Sequence, residues 1–463
     1  MVSVLWMILL IVEKPNVSAF VTSDTSQISV SKRKLVARPT RTALSMYTEG
    51  TSRIGDSKTI PENAKSRWGT LKSPFVIQRN PPVLDVAQVG TLKVPTVGIG
   101  TISWSSDSLT QLESLELQSV VSTSYNADAA FFDTAERYGG SWKSALGGGY
   151  GETEKLTRKL LGLSAAASSM QPRLNPVVAT KFTPLPWRTT AQSVVDACEE
   201  SCRRLGVEQI DLYQLHMPDV VQPLSFLGMD NSKDEIYWEG LAECYNRGLV
   251  KNVGVCNYGP TLLTRCQKAL SDRGVPLASN QIAYSLIGRH NGSQETLDKC
   301  QELGIQVLAY YPFAMGLLTG KYSSQSIQSM SEDALTSLTS SKKTKLEESD
   351  LKRYALGDGV TIPEGGIAPL LSVIETIAKK RGKTVAQVAL NYIICKGAIP
   401  IPGARTNAQV KDNIGAMGWR LSRTEVDMLE LEADKLGFGF EGAGFKRTSE
   451  KFVGYGMEKW SLD

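Results

Sequence analysis

The chain is poor in the residues that announce a metal centre or a stapled fold. It has seven cysteines and two histidines in 463 residues, and no C-x-x-C spacing. Neither a disulfide framework nor a zinc site is suggested by that pattern, and a reducing compartment fits it best. Cys198 and Cys202 lie four apart on a predicted helix, but no second ligand pair accompanies them, so no metal is expected. Excess charge is lacking too. The formal net charge of +4 comes from the N-terminus, where Lys14, Lys32, Arg33, Lys34, Arg38 and Arg41 face only Glu13 and Asp24. Removing those six basic and two acidic residues from totals of 51 and 47 leaves 45 of each. A neutral body argues against a nucleic acid or an anionic membrane as partner, since either needs a concentrated basic face. Also missing is a long apolar run: Val2–Val12, "VSVLWMILLIV", is too short to span a bilayer. No G-x-G-x-x-G follows any strand-like run, which speaks against a doubly wound dinucleotide fold. "RGKT" is not a P-loop, because its first glycine would fall at Ile377.

What is present begins with an address. Residues 1–20 have the apolar core of a signal peptide, without the positive charge that usually precedes it. Residues 21–75 are rich in Ser, Thr, Lys and Arg, the composition of an organelle transit peptide. The "VSAFV" junction, Val17–Val21, resembles the Ala-Phe cleavage motif of algae with complex plastids. The plainer alternative is a disordered tail. The rest, 76–463, is expected to fold as one domain, and 41% hydrophobic with 21% charged residues suits a soluble protein with a sizeable core.

From Val94 onward short apolar runs alternate with amphipathic segments. The strand-like runs are "VPTVGIGT", "AAFFDTA", "PVVATKF", "QIDLYQLH", "VKNVGVCN", "LASNQIAY", "IQVLAYYP" and "GAIPIPGA". Helical stretches such as "AQSVVDACEESCRRLG", "DEIYWEGLAECYNRG" and "GIAPLLSVIETIAKKRG" lie between them. Eight such strands predict an α/β fold, a parallel (β/α)₈ TIM barrel. A long polar loop, Ser323–Gly366, follows the seventh strand, and a helix plus an extra C-terminal helix follow the eighth.

In such a barrel, polar residues at the C-terminal strand ends face the active site. Read in order they are Asp133 and Tyr138, Lys181, His216, Cys256 and Asn257, Asn280 and Gln281, and Tyr310. A lysine and an aspartate at buried strand ends need each other. An ammonium beside Tyr138 is expected to pull its pKa down, so that the phenol delivers a proton to a carbonyl oxygen. His216, neutral, would orient that oxygen. Each residue alone has a structural explanation: a loop-starting Asp, a loop aromatic, a satisfied core histidine. Their coincidence at successive strand ends does not.

The motifs "GIGTISW", "FFDTAERYG", "ATKF", "DLYQLHMPD", "GLVKNVGVCNYG", "ASNQIAYSL", "GLLTGKY" and "IPIPGARTNAQVKDNIGA" resemble, in order and spacing, those of the aldo-keto reductase family. Plastid-targeted members of plants and algae look most similar, and the resemblance spans about Val94 to Leu436. It implies a barrel that uses NADPH to reduce a small carbonyl substrate, with Asp133, Tyr138, Lys181 and His216 as the catalytic four. It implies further that Gly100 and Thr101 lie beside the cofactor and that Asn257 and Gln281 hold the nicotinamide carboxamide. Tyr310 would stack on the ring, while Gly316, Leu317, Gly320 and Lys321 would lie where a loop crosses the pyrophosphate. Gly403, Arg405, Gln409 and Asn413 would form the adenosine end, with the arginine favouring a 2′-phosphate.

The chain also departs from the family pattern. Cys256 stands where serine is common, Tyr311 and Phe313 add bulk after the stacking tyrosine, and Asp412 replaces a longer glutamate. The glycine-rich stretch Gly139–Glu154 is either a surface loop or a wall of the substrate pocket. The Ser323–Gly366 insertion is expected to fold over bound cofactor. Two readings compete with the reductase: a cofactor-binding regulatory subunit with little turnover, and a redox sensor using Cys256.

Overall fold

The computed structural model describes residues 84–104, 109–139, 151–167, 172–185, 187–219, 233–290, 292–329, 357 and 365–436. The address segment therefore lies outside the described residues, as do 140–150 of the glycine-rich loop and most of the Ser323–Gly366 insertion.

Eight parallel strands make the core: β3 (Ile99–Gly100), β4 (Phe131–Asp133), β5 (Val177–Phe182), β6 (Leu212–Leu215), β7 (Val253–Cys256), β8 (Leu277–Ala283), β9 (Gln306–Tyr310) and β10 (Ile399–Pro400). Each pairs in parallel with the next. The first and last also meet. Gly98 N–H donates to Pro400 O at 2.9 Å, Gly100 N–H donates to Pro402 O at 2.9 Å, and Gly100 bridges Gly403. The sheet is a closed barrel with no free edge. Its strands are buried on both faces, which is why they read as continuous apolar runs rather than as alternation.

Helices alternate with the strands. In chain order they are α1 (Gln111–Asn126), α2 (Glu152–Ala167), α3 (Ala191–Leu205), α4 (Asp234–Asn246), α5 (Pro260–Ser271) and α6 (Ser293–Glu302). After β9 come α7 (Ser324–Gln328), α8 (Ala368–Arg381) and α9 (Val385–Cys395), and after β10 come α10 (Asn407–Ile414) and α11 (Arg423–Lys435). Their ends follow local chemistry. Thr110, Thr384, Thr406 and Ser422 each begin a capping box, satisfying first-turn amides. Gly206 and Gly382 end α3 and α8 in the left-handed region that favours glycine.

Two parts of the sequence reading need correction. The run "VPTVGIGT" is not one strand. Its first two residues belong to an antiparallel hairpin, β1 (Val86–Val89) with β2 (Leu92–Pro95), and only Ile99–Gly100 enters the barrel. Val89 and Val94 pack against Phe131, Val177, Leu212 and Ile399, the first residues of their strands, so the hairpin floors the barrel's N-terminal end. The second is α9, which the sequence reading lacked. Ala386, Val388, Ala389, Leu390, Asn391, Tyr392, Ile393 and Ile394 are buried in it, leaving little polar face to mark helical period.

Candidate active site

The C-terminal ends of β4, β5 and β6 bring the first three chemical groups together. Lys181, fully buried at the end of β5, puts its ammonium 2.6 Å from Asp133 Oδ2 and donates also to Thr134 O at 2.8 Å. Its third contact is the Tyr138 hydroxyl at 3.3 Å. Gln281 Nε2 donates to the other aspartate oxygen at 2.8 Å, so Asp133 is held from two sides. The His216 ring lies edge-on to Tyr138, with centroids 5.6 Å apart. Its Nδ1 is buried and without a hydrogen-bond partner among the described residues.

Electrostatics corrects one expectation. Burial raises Tyr138 more than the Lys181 ammonium lowers it, and the phenol stands at about 12 rather than below its ordinary value. Burial works to lower Lys181, but the Asp133 carboxylate prevails and the ammonium ends above the usual lysine range. For His216, burial and then the Lys181 charge act in one direction, holding the imidazole well below its usual value and hence neutral.

These groups open into a cleft of about 690 Å³, within the range of small-molecule sites. Gly100, Asp133, Tyr138, His216, Asn257, Gln281 and Tyr310 line its inner part, and Gly316, Lys321, Gly403, Arg405 and Gln409 also line it. Five expected residues do not line it. Lys181 is fully buried against Asp133 and Tyr138. Thr101 is buried behind, its hydroxyl donating to Asp133 O at 3.0 Å, and Leu317 belongs to the hydrophobic core. A Cβ on Gly320 would meet Val385, and Asn413 is buried with its Nδ2 unpartnered among the described residues.

Other expected residues are already engaged. Tyr310 OH donates to Asn257 Oδ1 at 2.7 Å, and Asn257 Nδ2 donates to His216 O at 3.2 Å. Asp412, rather than reaching into the cleft, accepts from Thr384 Oγ1 at 2.7 Å and Gln387 Nε2 at 3.0 Å, at the start of α9. Tyr311 and Phe313 line the cleft, Tyr311 packing edge-on against Tyr310 with centroids 5.0 Å apart. Tyr311, Ala314 and Met315 all have positive φ, a cluster of strained positions beside the cleft. Cys256 lines the cleft as well, but burial outweighs the Lys181 charge and pushes its thiol up, which works against the thiolate a redox sensor needs.

One residue was missed. Glu136 is buried, and its Oε1 accepts from Thr183 N–H at 2.7 Å. A carboxylate between two site residues in a buried stretch was the available signal.

Comparison with known proteins gives consistent findings. A model described as the aldo/keto reductase family matches residues 96–431. The chain is similar to a chloroplastic pyridoxal reductase of Arabidopsis thaliana, 37% identical over 351 residues, covering 75% of this chain and 85% of the relative. It is 27% identical over 341 residues to a probable aldo-keto reductase 1 of Glycine max, covering 73% and 85%. Among solved structures, a glycerol dehydrogenase from Gluconobacter oxydans gives a TM-score of 0.56 at 21% identity, covering 77% of this chain and 97% of that one. An aldo-keto reductase of Bombyx mori in complex with NADP gives 0.51 at 22%, covering 75% and 92%. At those identities the solved structures speak for the fold.

Proposed function

We propose, for a chain that belongs to the aldo/keto reductase family, that it reduces a small aldehyde or ketone to an alcohol using NADPH. One observation carries the reading: a Tyr138 hydroxyl 3.3 Å from an ammonium that is itself anchored 2.6 Å from a buried carboxylate. The cleft suits the cofactor. It is lined by Tyr310 and, along its length, by glycines at 100, 316 and 403 and by the cations Lys321 and Arg405. Gly403 bridges Gly100 across the β3–β10 seam, so two glycine backbones lie side by side in the cleft wall. The buried Asn413 Nδ2, unpartnered among the described residues, sits one turn from Gln409, which lines the cleft.

When bound, NADPH supplies the hydride. The chain's own residues handle the proton. Tyr138 gives its hydroxyl proton to the carbonyl oxygen as that oxygen gains charge. A phenol raised to about 12 keeps its proton in water yet yields it to an alkoxide, a much stronger base. The Lys181 ammonium stabilises the phenolate left behind, and Asp133 with Gln281 keeps the ammonium in place. Neutral His216 orients the oxygen without competing for the proton. Ile102, Met217, Tyr311 and Phe313 line the same cleft and present apolar and aromatic surface to substrate and against water.

That lining suits a flat aromatic aldehyde, and similarity to a pyridoxal reductase makes pyridoxal the first substrate to try. The leader's composition and the chloroplastic relative support a plastid location. The test is NADPH oxidation across a panel of aldehydes including pyridoxal, with Tyr138→Phe beside the parent. Turnover by the parent, and a variant that binds NADPH but is nearly inactive, are expected. Equal NADPH binding with no turnover by either would instead favour a regulatory role.

A further inference from the structure

Arg405 lines the outer cleft and immediately precedes Thr406, the N-cap of α10. Its guanidinium is not vacant: Nη2 donates to Glu113 Oε1 at 3.0 Å. Glu113 comes from the first turn of α1, on the far side of the β3–β10 seam and 292 positions away in the chain. One turn further along α1, Glu116 accepts from the Asn407 N–H at 2.9 Å. Helix α1 thus offers two carboxylates to a guanidinium and a first-turn amide at the start of α10. These are the donors that an anionic ligand group uses at a helix N-terminus. The Arg405 N–H and the Thr406 N–H are taken by Gln409 Oε1, at 2.8 and 3.2 Å, so the guanidinium is the donor left for competition.

We infer that Glu113 is an intramolecular competitor for Arg405 and limits how strongly the protein prefers NADPH over NADH. The inference rests on the reading above, in which the adenosine end of NADPH reaches Arg405. NADPH and NADH differ by one group, the 2′-phosphate. To use Arg405, that phosphate must displace the Glu113 carboxylate or accept its charge as a neighbour, and either weakens NADPH alone. NADH brings no anion to this position and loses nothing. The pair is about half exposed, at 50% and 43% of the two side chains, so displacement is feasible and the competition modest. Glu113 is held ionised by the Thr110 backbone N–H and hydroxyl, which keep its carboxyl below the ordinary range.

The test is Glu113→Gln in the full chain, read as dissociation constants for NADPH and NADH by equilibrium titration of tryptophan fluorescence. Glutamine retains the capping box with Thr110, so α1 keeps its start while the charge is removed. NADPH should bind about two- to five-fold more tightly, the effect of one exposed ion pair, while NADH changes by less. An NADPH/NADH preference equal to the parent's overturns the proposal. If Arg405→Gln leaves NADPH affinity untouched, the adenosine end does not reach Arg405, and it is the underlying cofactor placement that fails.

Discussion

Arg188 sets two terminal guanidinium nitrogens on the Glu136 carboxylate, at 2.5 and 3.2 Å. Glu136 lies two residues before Tyr138, and the Thr183 amide that it also accepts lies two residues after Lys181. The pair therefore joins the tyrosine's loop to the lysine's strand. Glu136→Gln weakens this joint while keeping its shape. We expect kcat to fall about ten-fold or more through misplacement of the phenol, with the NADPH dissociation constant nearly unchanged. An unchanged kcat would show that Tyr138 is positioned by other contacts.

Lys181 and Asp133 should behave as a unit. Lys181→Met leaves Asp133 buried without its cation, a loss of about 3–5 kcal/mol, and removes the group proposed to stabilise the phenolate. Adding Asp133→Leu should restore part of the stability and none of the activity. Thermal denaturation of the single and double variants separates these effects, and additive losses would contradict the pairing.

The pH profile should be broad. The proposed mechanism needs Tyr138 protonated and His216 neutral. Because the phenol is raised to about 12, its acid form persists as pH rises past the ordinary tyrosine value. Because the imidazole is lowered, its neutral form persists as pH falls through the ordinary histidine value. Single-turnover rates should then show no break between about pH 6.5 and 10. A break inside that window would mean that one of the two shifts is reversed in the working enzyme.

Gly90 tests the barrel floor. It has φ of +56°, and a Cβ there would lie 2.0 Å from Asn252 Oδ1, the atom that accepts the Thr91 N–H at 2.9 Å. Gly90→Ala should cost about 1–3 kcal/mol through that clash and the left-handed backbone, lowering the denaturation midpoint. A midpoint equal to the parent's would show that the hairpin contributes little to the barrel.

The barrel and its chemical groups were legible for one reason: buried parallel strands announce themselves by composition, and a polar residue ending such a run has to face the mouth. Asp133, Lys181 and His216 meet that description and are brought together as expected. What escaped depends on distances the chain does not print. The Tyr138 shift is a contest between a neighbour's charge and the loss of water, and only the neighbour could be inferred. Glu136 escaped because Arg188, its partner, lies on another loop. The hairpin hid because β2 runs into the first barrel strand with few residues between. The partners of Arg405 and Asp412 are tertiary too: a carboxylate on α1 for one, the start of α9 for the other.

The hairpin that floors the barrel has a consequence for traffic. With Val89 and Val94 seated among the strand starts, the cleft has its doorway, among the described residues, at the opposite rim, which Tyr138 and Arg405 both line. A large guest lying along the cleft and a small one arriving at its inner end must share that doorway.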